Sequence, residues 1–173
     1  MTTFENLAEE QTPYDTPEEG PTLFRATIQR KEHLRMSVFT DNELAYLCSQ
    51  KLARLATIRP DGTPQIAPVG FHYNADLDVI EIGGRYLSQT KKFRNIQQNA
   101  HVALVIDDVL PPWQPRGVEI RGVAQTLATG GQALFGATYA VDDALIRITP
   151  LQIIGWGLDE GAGWSNNRRV ERP

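Results

Sequence analysis

Hydrophobic and polar positions along the chain change period several times, and each change marks an element. From Thr40 the apolar residues Leu44, Ala45, Leu47 and Cys48 recur at helical spacing, with Thr40 or Asp41 placed to cap a helix. "LARLATI" then alternates with the two-residue period of a strand, "RPDGTP" turns, and "QIAPVGFHY" returns, so residues 52–73 read as a β-hairpin. Pro68 has no N–H to give to a ladder, which puts its strand at an edge or interrupts it. "NADLD" turns again, and "VIEIGG" is a third strand. Ser88 is an N-cap candidate for a short helix over 88–98, whose Phe93 and Ile96 share one face. "HVALVID" is a fourth strand and "RGVEIRGVAQTL" a long fifth, with Gly122 a bulge candidate. "GGQALFGATYA" reads as a loop or weak helix, and "LIRITPLQIIGWGL" as a last strand with a break at Pro150. About six strands in hairpin order with two short helices predict a mainly β fold, an antiparallel barrel carrying helices.

Two segments stand outside that pattern. Residues 1–35, with "EEQTPYDTPEEGPT", combine Pro, Gly, Thr and acids without an apolar period and read as an extended arm or a disordered extension. Residues 159–173 read as a polar tail after a barrel domain spanning 36–158.

Composition narrows the class. At 173 residues and 41% hydrophobic, the chain suits one domain with one core. No apolar run approaches the roughly 18 residues of a membrane span, so no membrane partner is expected. Cys48 is the sole cysteine, which excludes an intrachain disulfide and fits a reducing cytoplasm; among Leu44, Leu47 and Leu52 it is expected to be a small buried hydrophobe. The net charge of −4 is uneven: residues 1–20 hold six acids and no base, which leaves 17 bases against 15 acids, or +2, for the rest. Such a balance gives no support for nucleic-acid binding.

The candidate chemistry lies in "EIGGRYLSQTKKFRN". A helix N-terminus carries unpaired N–H groups and a partial positive charge, so acids are favoured there and cations are not. Here Thr90, Lys91 and Lys92 crowd that end, directly after Gly83 and Gly84, which allow a backbone or a ligand to come close. A bound anion resolves the mismatch. His33, His72 and His101 show no metal-ligand spacing, so no metal is expected. No GxSxG, P-loop or GxGxxG pattern occurs. No side chain stands out as catalytic; Tyr73, His72 and Tyr86 are the candidate proton donors.

The ordered series "LARLATIRPDGTPQIAPVGFHYN", "IEIGG", "TKKFRNIQQNAHVALVIDD", "PWQPRGVEIRGVAQ" and "IRITPLQIIGWGL" resembles the pyridoxamine 5′-phosphate oxidase-like, FMN-binding split-barrel family over about residues 36–158. It is most similar to the branch of deazaflavin (coenzyme F-420)-dependent enzymes. The resemblance implies a homodimer of six-stranded antiparallel split β-barrels with a few short helices, and a flavin-type cofactor, coenzyme F-420 or FMN, in each cleft between subunits. It implies that Lys92 holds the cofactor phosphate with Thr90, Lys91 and Asn95 beside it. It further implies that the backbone of Gln65, Ala67, Pro68, Val69 and Gly70 lies along the flat ring, and that Ile82 and Gly83 flank the ribityl chain. Arg116, Gly117 and Trp156 would come from the other subunit. The implied activity is an oxidoreductase transferring hydride from reduced deazaflavin to a small electron-poor organic substrate. An FMN-dependent oxidase or reductase and a non-catalytic flavin or haem binder are the alternatives. The chain departs from true pyridoxamine phosphate oxidases at its end: "GWGLDEGAGWSNNRRVERP" replaces the Arg/His-containing motif that grips their substrate's phosphate.

Overall fold

A computed structural model of the protein describes residues 37–136, 140–159 and 165–171. The extension expected over 1–35 lies outside the described residues.

Helix α1, Asp41–Ser49, begins where expected, with a reciprocal cap: Glu43 N–H donates to Thr40 Oγ1 over 3.2 Å, and Thr40 N–H to Glu43 Oε2 over 2.9 Å. Its buried face is Glu43, Leu44, Tyr46 and Leu47. Cys48 is exposed, contrary to its expected place in the core. The helix is rotated one step from the apolar spacing because two polar groups reach inward: Glu43 to Arg168, and Tyr46 to Asp108.

Eight antiparallel strands follow: β1 (Leu52–Ile58), β2 (Pro64–Gly70), β3 (His72–Asn74), β4 (Val79–Ile82), β5 (His101–Leu110), β6 (Gln114–Leu127), β7 (Leu145–Trp156) and β8 (Ser165–Arg169). Seven of them run in the order β2-β1-β5-β6-β7-β4-β3, and β8 pairs with the far end of β7. The two edge strands of this path, β2 and β3, are consecutive in the chain and separated only by Phe71. A sheet whose edges are joined by one residue has to curl until they nearly meet, which is the split barrel. The strand count corrects the expected six. "QIAPVGFHY" divides at Phe71 because its second half pairs with β4 rather than β1, and the expected polar tail supplies β8.

Inside the curl, Leu55, Ile80, Ile82, Leu104, Ile106, Ile120, Ile148 and Ile153 are fully buried. The bulge expected at Gly122 is present. Arg121 pairs with Gln152 and Gly122 with Pro150, so Leu151 is the extra residue, and β7 runs through Pro150 instead of breaking. A Cβ on Gly122 would lie 2.2 Å from Thr149 O, so only glycine fits there.

A 3₁₀ turn, Leu87–Gln89, leads into helix α2, Lys91–Gln98. Its N-cap is Thr90, whose Oγ1 accepts from Phe93 N–H; Ser88, expected in that role, instead bonds the Asp142 carboxylate through its N–H and its hydroxyl. A five-residue helix α3, Gly131–Phe135, completes the described elements.

Candidate functional site: the cationic end of helix α2

The two longer helices treat their N-termini in opposite ways. Helix α1 places Asp41 and Glu43 in its first turn, as the helix dipole favours, whereas the first turn of α2 contains no acid and two lysines. Thr90 caps only Phe93 N–H, and the N–H groups of Lys91 and Lys92 have no acceptor among the described residues. Lys91 is exposed. Lys92 is half-buried, and burial pushes its ammonium below the usual lysine range. No carboxylate pairs with it among the described residues. A partly desolvated cation beside two orphaned N–H groups is a donor set made for an anion, so these residues fit the phosphate of a flavin-type cofactor.

Beside this point a cavity of about 340 Å³ opens between the β1–β2 turn and α2, lined by Arg59, Pro60, Gln65, Lys91, Arg94, Asn95 and Gln98. Asn95 is itself buried. Its amide donates to Thr57 Oγ1 over 3.0 Å and to Gln65 Oε1 over 2.9 Å, so it ties the helix to β1 and β2. The Thr90 hydroxyl donates to Leu87 O over 2.7 Å while accepting from Phe93, so its proton is directed into the cap.

Strand β2 is a sheet edge, as its proline suggested. The turn closes with Arg59 N–H donating to Thr63 O, and hydrogen-bonded pairs then alternate up the hairpin. By that alternation Gln65, Ala67 and Val69 bond back to β1, while Pro64, Ile66, Pro68 and Gly70 face outward. Both prolines fall on outward positions, so the outward donors are the N–H groups of Ile66 and Gly70. Val69 is a core side chain, and Ile66 is 68% exposed.

The remaining expected site residues lie elsewhere in the chain. Ile82 is wholly buried, and the space above Gly83 holds a ring: a Cβ there would lie 2.3 Å from Phe135 Cδ2. Gly117 pairs with Trp156, whose ring lies across it, 2.5 Å from where a Cβ would be. Arg116 forks onto Asp108 at 2.7 and 3.0 Å and stacks 5.2 Å from the Tyr46 ring centroid. That ion pair, chiefly through its hydrogen bonds, holds the Asp108 carboxyl below its usual range, and burial raises the Tyr46 hydroxyl. Thr57, under α2, pairs with Val102, whereas Gly117 pairs with Asp107. Five residue steps along β5, from Val102 to Asp107, separate the two groups, about 17 Å along the strand. A single chain therefore keeps Lys92 and Trp156 at different ends of its sheet.

Among the candidate proton donors, Tyr73 has its hydroxyl bonded to Asp78 at 2.7 Å, His72 packs edge-on against Phe135, and Tyr86 is 66% exposed. Arg59 and Ile66 went unnoticed in the sequence. Arg59 had a signal, a cation at the mouth of a Pro-Asp-Gly turn, but its approach to α2 is purely tertiary.

The family model described as pyridoxamine 5′-phosphate oxidase matches residues 39–157. A 5a,11a-dehydrotetracycline/5a,11a-dehydrooxytetracycline reductase from Streptomyces rimosus is 41% identical over 123 residues, 70% of this chain and 84% of the relative. Among solved structures, the fold resembles the general stress protein 26 of Bacillus anthracis (TM-score 0.57, 18% identity, 75% of this chain and 97% of the other). It also resembles an FAD-binding protein from Mesorhizobium loti (TM-score 0.51, 17% identity, 64% and 88% covered). Sequence match and curled antiparallel sheet agree: the chain belongs to the pyridoxamine 5′-phosphate oxidase-like split-barrel family, a family of flavin-binding oxidoreductases.

Proposed function

We propose that the protein is a reductase that uses reduced deazaflavin (coenzyme F-420) to transfer hydride to a small electron-poor organic substrate. The observation that carries the reading is Lys92: a half-buried ammonium with no carboxylate partner among the described residues, at a helix end that has no acid and two free N–H groups. The cofactor supplies the hydride chemistry when bound. The chain's part is to bind and orient it. Lys92 and the N–H groups of Lys91 and Lys92 hold the phosphate, and Asn95 fixes the helix against β2. The outward N–H groups of Ile66 and Gly70 offer backbone contacts along an edge that no other strand covers among the described residues. The 41% identical relative, named a dehydrotetracycline reductase, supports an electron-poor C=C or C=N bond as the acceptor.

The active form in this reading is a homodimer. The outer face of β1 and β2 exposes Leu52 and Ile66 beside half-buried Ala56 and Ile58, a surface suited to a second copy. Arg116, Gly117 and Trp156, held at the other end of the sheet, would then complete the neighbour's cleft.

FMN is the second reading, because Lys92 and its neighbours suit any ribityl phosphate. The cations Arg59, Lys91 and Arg94 around the cavity, without a carboxylate partner among the described residues, favour a cofactor with further negative charge beyond that phosphate. Titration of the purified protein with FMN and with coenzyme F-420, followed by absorbance, decides between them. Tighter binding of F-420, and oxidation of its reduced form by an enone acceptor, are expected; binding of neither, or binding unaffected by Lys92→Met, would overturn the assignment.

A further inference from the structure

Among the described residues, Gly62, Asp78, Tyr86, Gly130 and Gly157 have a left-handed backbone. For the glycines that conformation meets no side-chain clash. Asp78 uses its side chain there, accepting from Val38 N–H at 2.8 Å and from the Tyr73 hydroxyl at 2.7 Å. Tyr86, at φ 54°, has no comparable account: its ring is 66% exposed, and its hydroxyl has no hydrogen-bond partner among the described residues. A bulky residue held in a sparsely populated region, with a side chain that adds no bond to the fold, marks a functional position.

Tyr86 lines a cavity of about 720 Å³ between the turn after Gly84 and residues 140–143, a size that suits a small organic molecule. Its two walls are tied together: Asp142 N–H donates to Gly84 O over 3.1 Å, and Ser88 N–H to Asp142 Oδ2 over 3.0 Å. Arg85 also lines the cavity, exposed and without a carboxylate partner among the described residues. Other surface arginines are unpaired too; what sets Arg85 apart is the exposed ring beside it. The acids in the lining are engaged elsewhere. Asp142 accepts from the Ser88 N–H and hydroxyl, and Asp143 Oδ1 from the N–H groups of Gly130 and Gln132. Their negative charge across the cavity favours a singly charged ligand over a phosphate.

We propose that this cavity binds a flat aromatic acid, with its ring on Tyr86 and its carboxylate or enolate oxygen on Arg85. The turn Leu87–Gln89 leads from the cavity wall straight into Thr90 and the α2 cradle. On the reductase reading, on which this step alone rests, the bound acid is the hydride acceptor.

A ligand-observed NMR titration of the full chain with naphthoate, without cofactor, tests the site. The parent should bind it. Arg85→Gln should weaken naphthoate about two- to fivefold, the reach of an exposed charge pair, and leave the neutral naphthamide unchanged. Tyr86→Asn should weaken both about two- to tenfold through lost ring stacking. It should also melt no lower than the parent, because asparagine accepts the left-handed backbone. Absence of naphthoate binding, binding untouched by either variant, or competition by inorganic phosphate would overturn the proposal. So would a lower melting temperature for Tyr86→Asn, which would give the ring a structural job. Since no cofactor is present, this site and the deazaflavin reading can each fail alone.

Discussion

Asn95 Nδ2 donates to Gln65 Oε1 across 2.9 Å, and this contact joins the helix that carries Lys92 to the strand at the edge of the sheet. The same amide also reaches Thr57, and Asn95 is 6% exposed. Asn95→Leu leaves the Thr57 hydroxyl and the Gln65 side-chain carbonyl without this donor. We expect a loss of about 1–3 kcal/mol in chemical denaturation, the range for orphaned buried partners. Gln65→Ala, at a half-exposed position, should destabilise less. Both variants should weaken FMN binding, because the cradle's position depends on the tie.

Lys92 makes the cradle pH-dependent. Burial lowers its folded-state pKa below the unfolded value, so the charged form is the disfavoured one in the fold. The folded state then binds fewer protons than the unfolded state in the window between the two values, and stability rises with pH across it. Anion binding has the opposite slope: affinity is flat while the ammonium is charged and falls as pH rises through the lowered value. Lys92→Met should abolish that alkaline decline and weaken FMN binding by roughly 1.5–3 kcal/mol at neutral pH. Calorimetric titration from neutral to about pH 10 checks both; a parallel decline in the variant would assign it to another group.

Much of this arrangement was legible in the sequence because periods are local. "LARLATI" alternates, the Pro-Asp-Gly turn closes the hairpin, and the lysines at the start of α2 contradict the helix dipole whatever lies around them. What could not be read depends on tertiary choice. Nothing local divides β2 from β3 at Phe71, since both halves alternate; only the pairing with β4 separates them. β8 is "SNNRR", a polar stretch that pairs through its backbone, and Arg168 reaches inward from it to Glu43, 125 positions away. Asn95 looks like a ligand-facing amide until Thr57 and Gln65 arrive from another element.

Glu81 is wholly buried on β4, with Arg147 Nε 2.8 Å from its Oε1 and Asn74 Nδ2 3.0 Å from its Oε2. Removing the cation alone strands a carboxylate in the interior. Arg147→Ala should therefore cost about 3–5 kcal/mol, while replacing both partners with apolar residues, Glu81→Leu with Arg147→Met, should recover most of it. Thermal melts of the two variants and the parent at neutral pH decide. Equal losses in the single and double variants would mean that packing at this site, rather than charge, sets the stability.

Asp108 sets the acid side of the stability profile. It accepts Arg116 in a two-pronged contact and also receives the Tyr46 hydroxyl and the Gln50 amide, and the Arg116 hydrogen bonds lead in lowering its pKa. A carboxyl depressed in the fold contributes fully above its unfolded value, about 3.9, and loses that contribution as pH falls through the folded value. The melting temperature of the parent should thus drop on acidification below about pH 4, with Asp108 one of the groups responsible. Asp108→Asn keeps the shape and removes the charge, so its melting temperature should lie below the parent's at neutral pH and converge on it in acid. Since Arg116 also stacks on Tyr46 and flanks Gly157, loosening it should shift the Trp156 end of the sheet. A tryptophan fluorescence change in Asp108→Asn at neutral pH, absent in acid where both proteins lack the charge, would report that link. Curves that stay parallel from neutral to acid pH would show that the carboxylate's ionisation contributes nothing to folding.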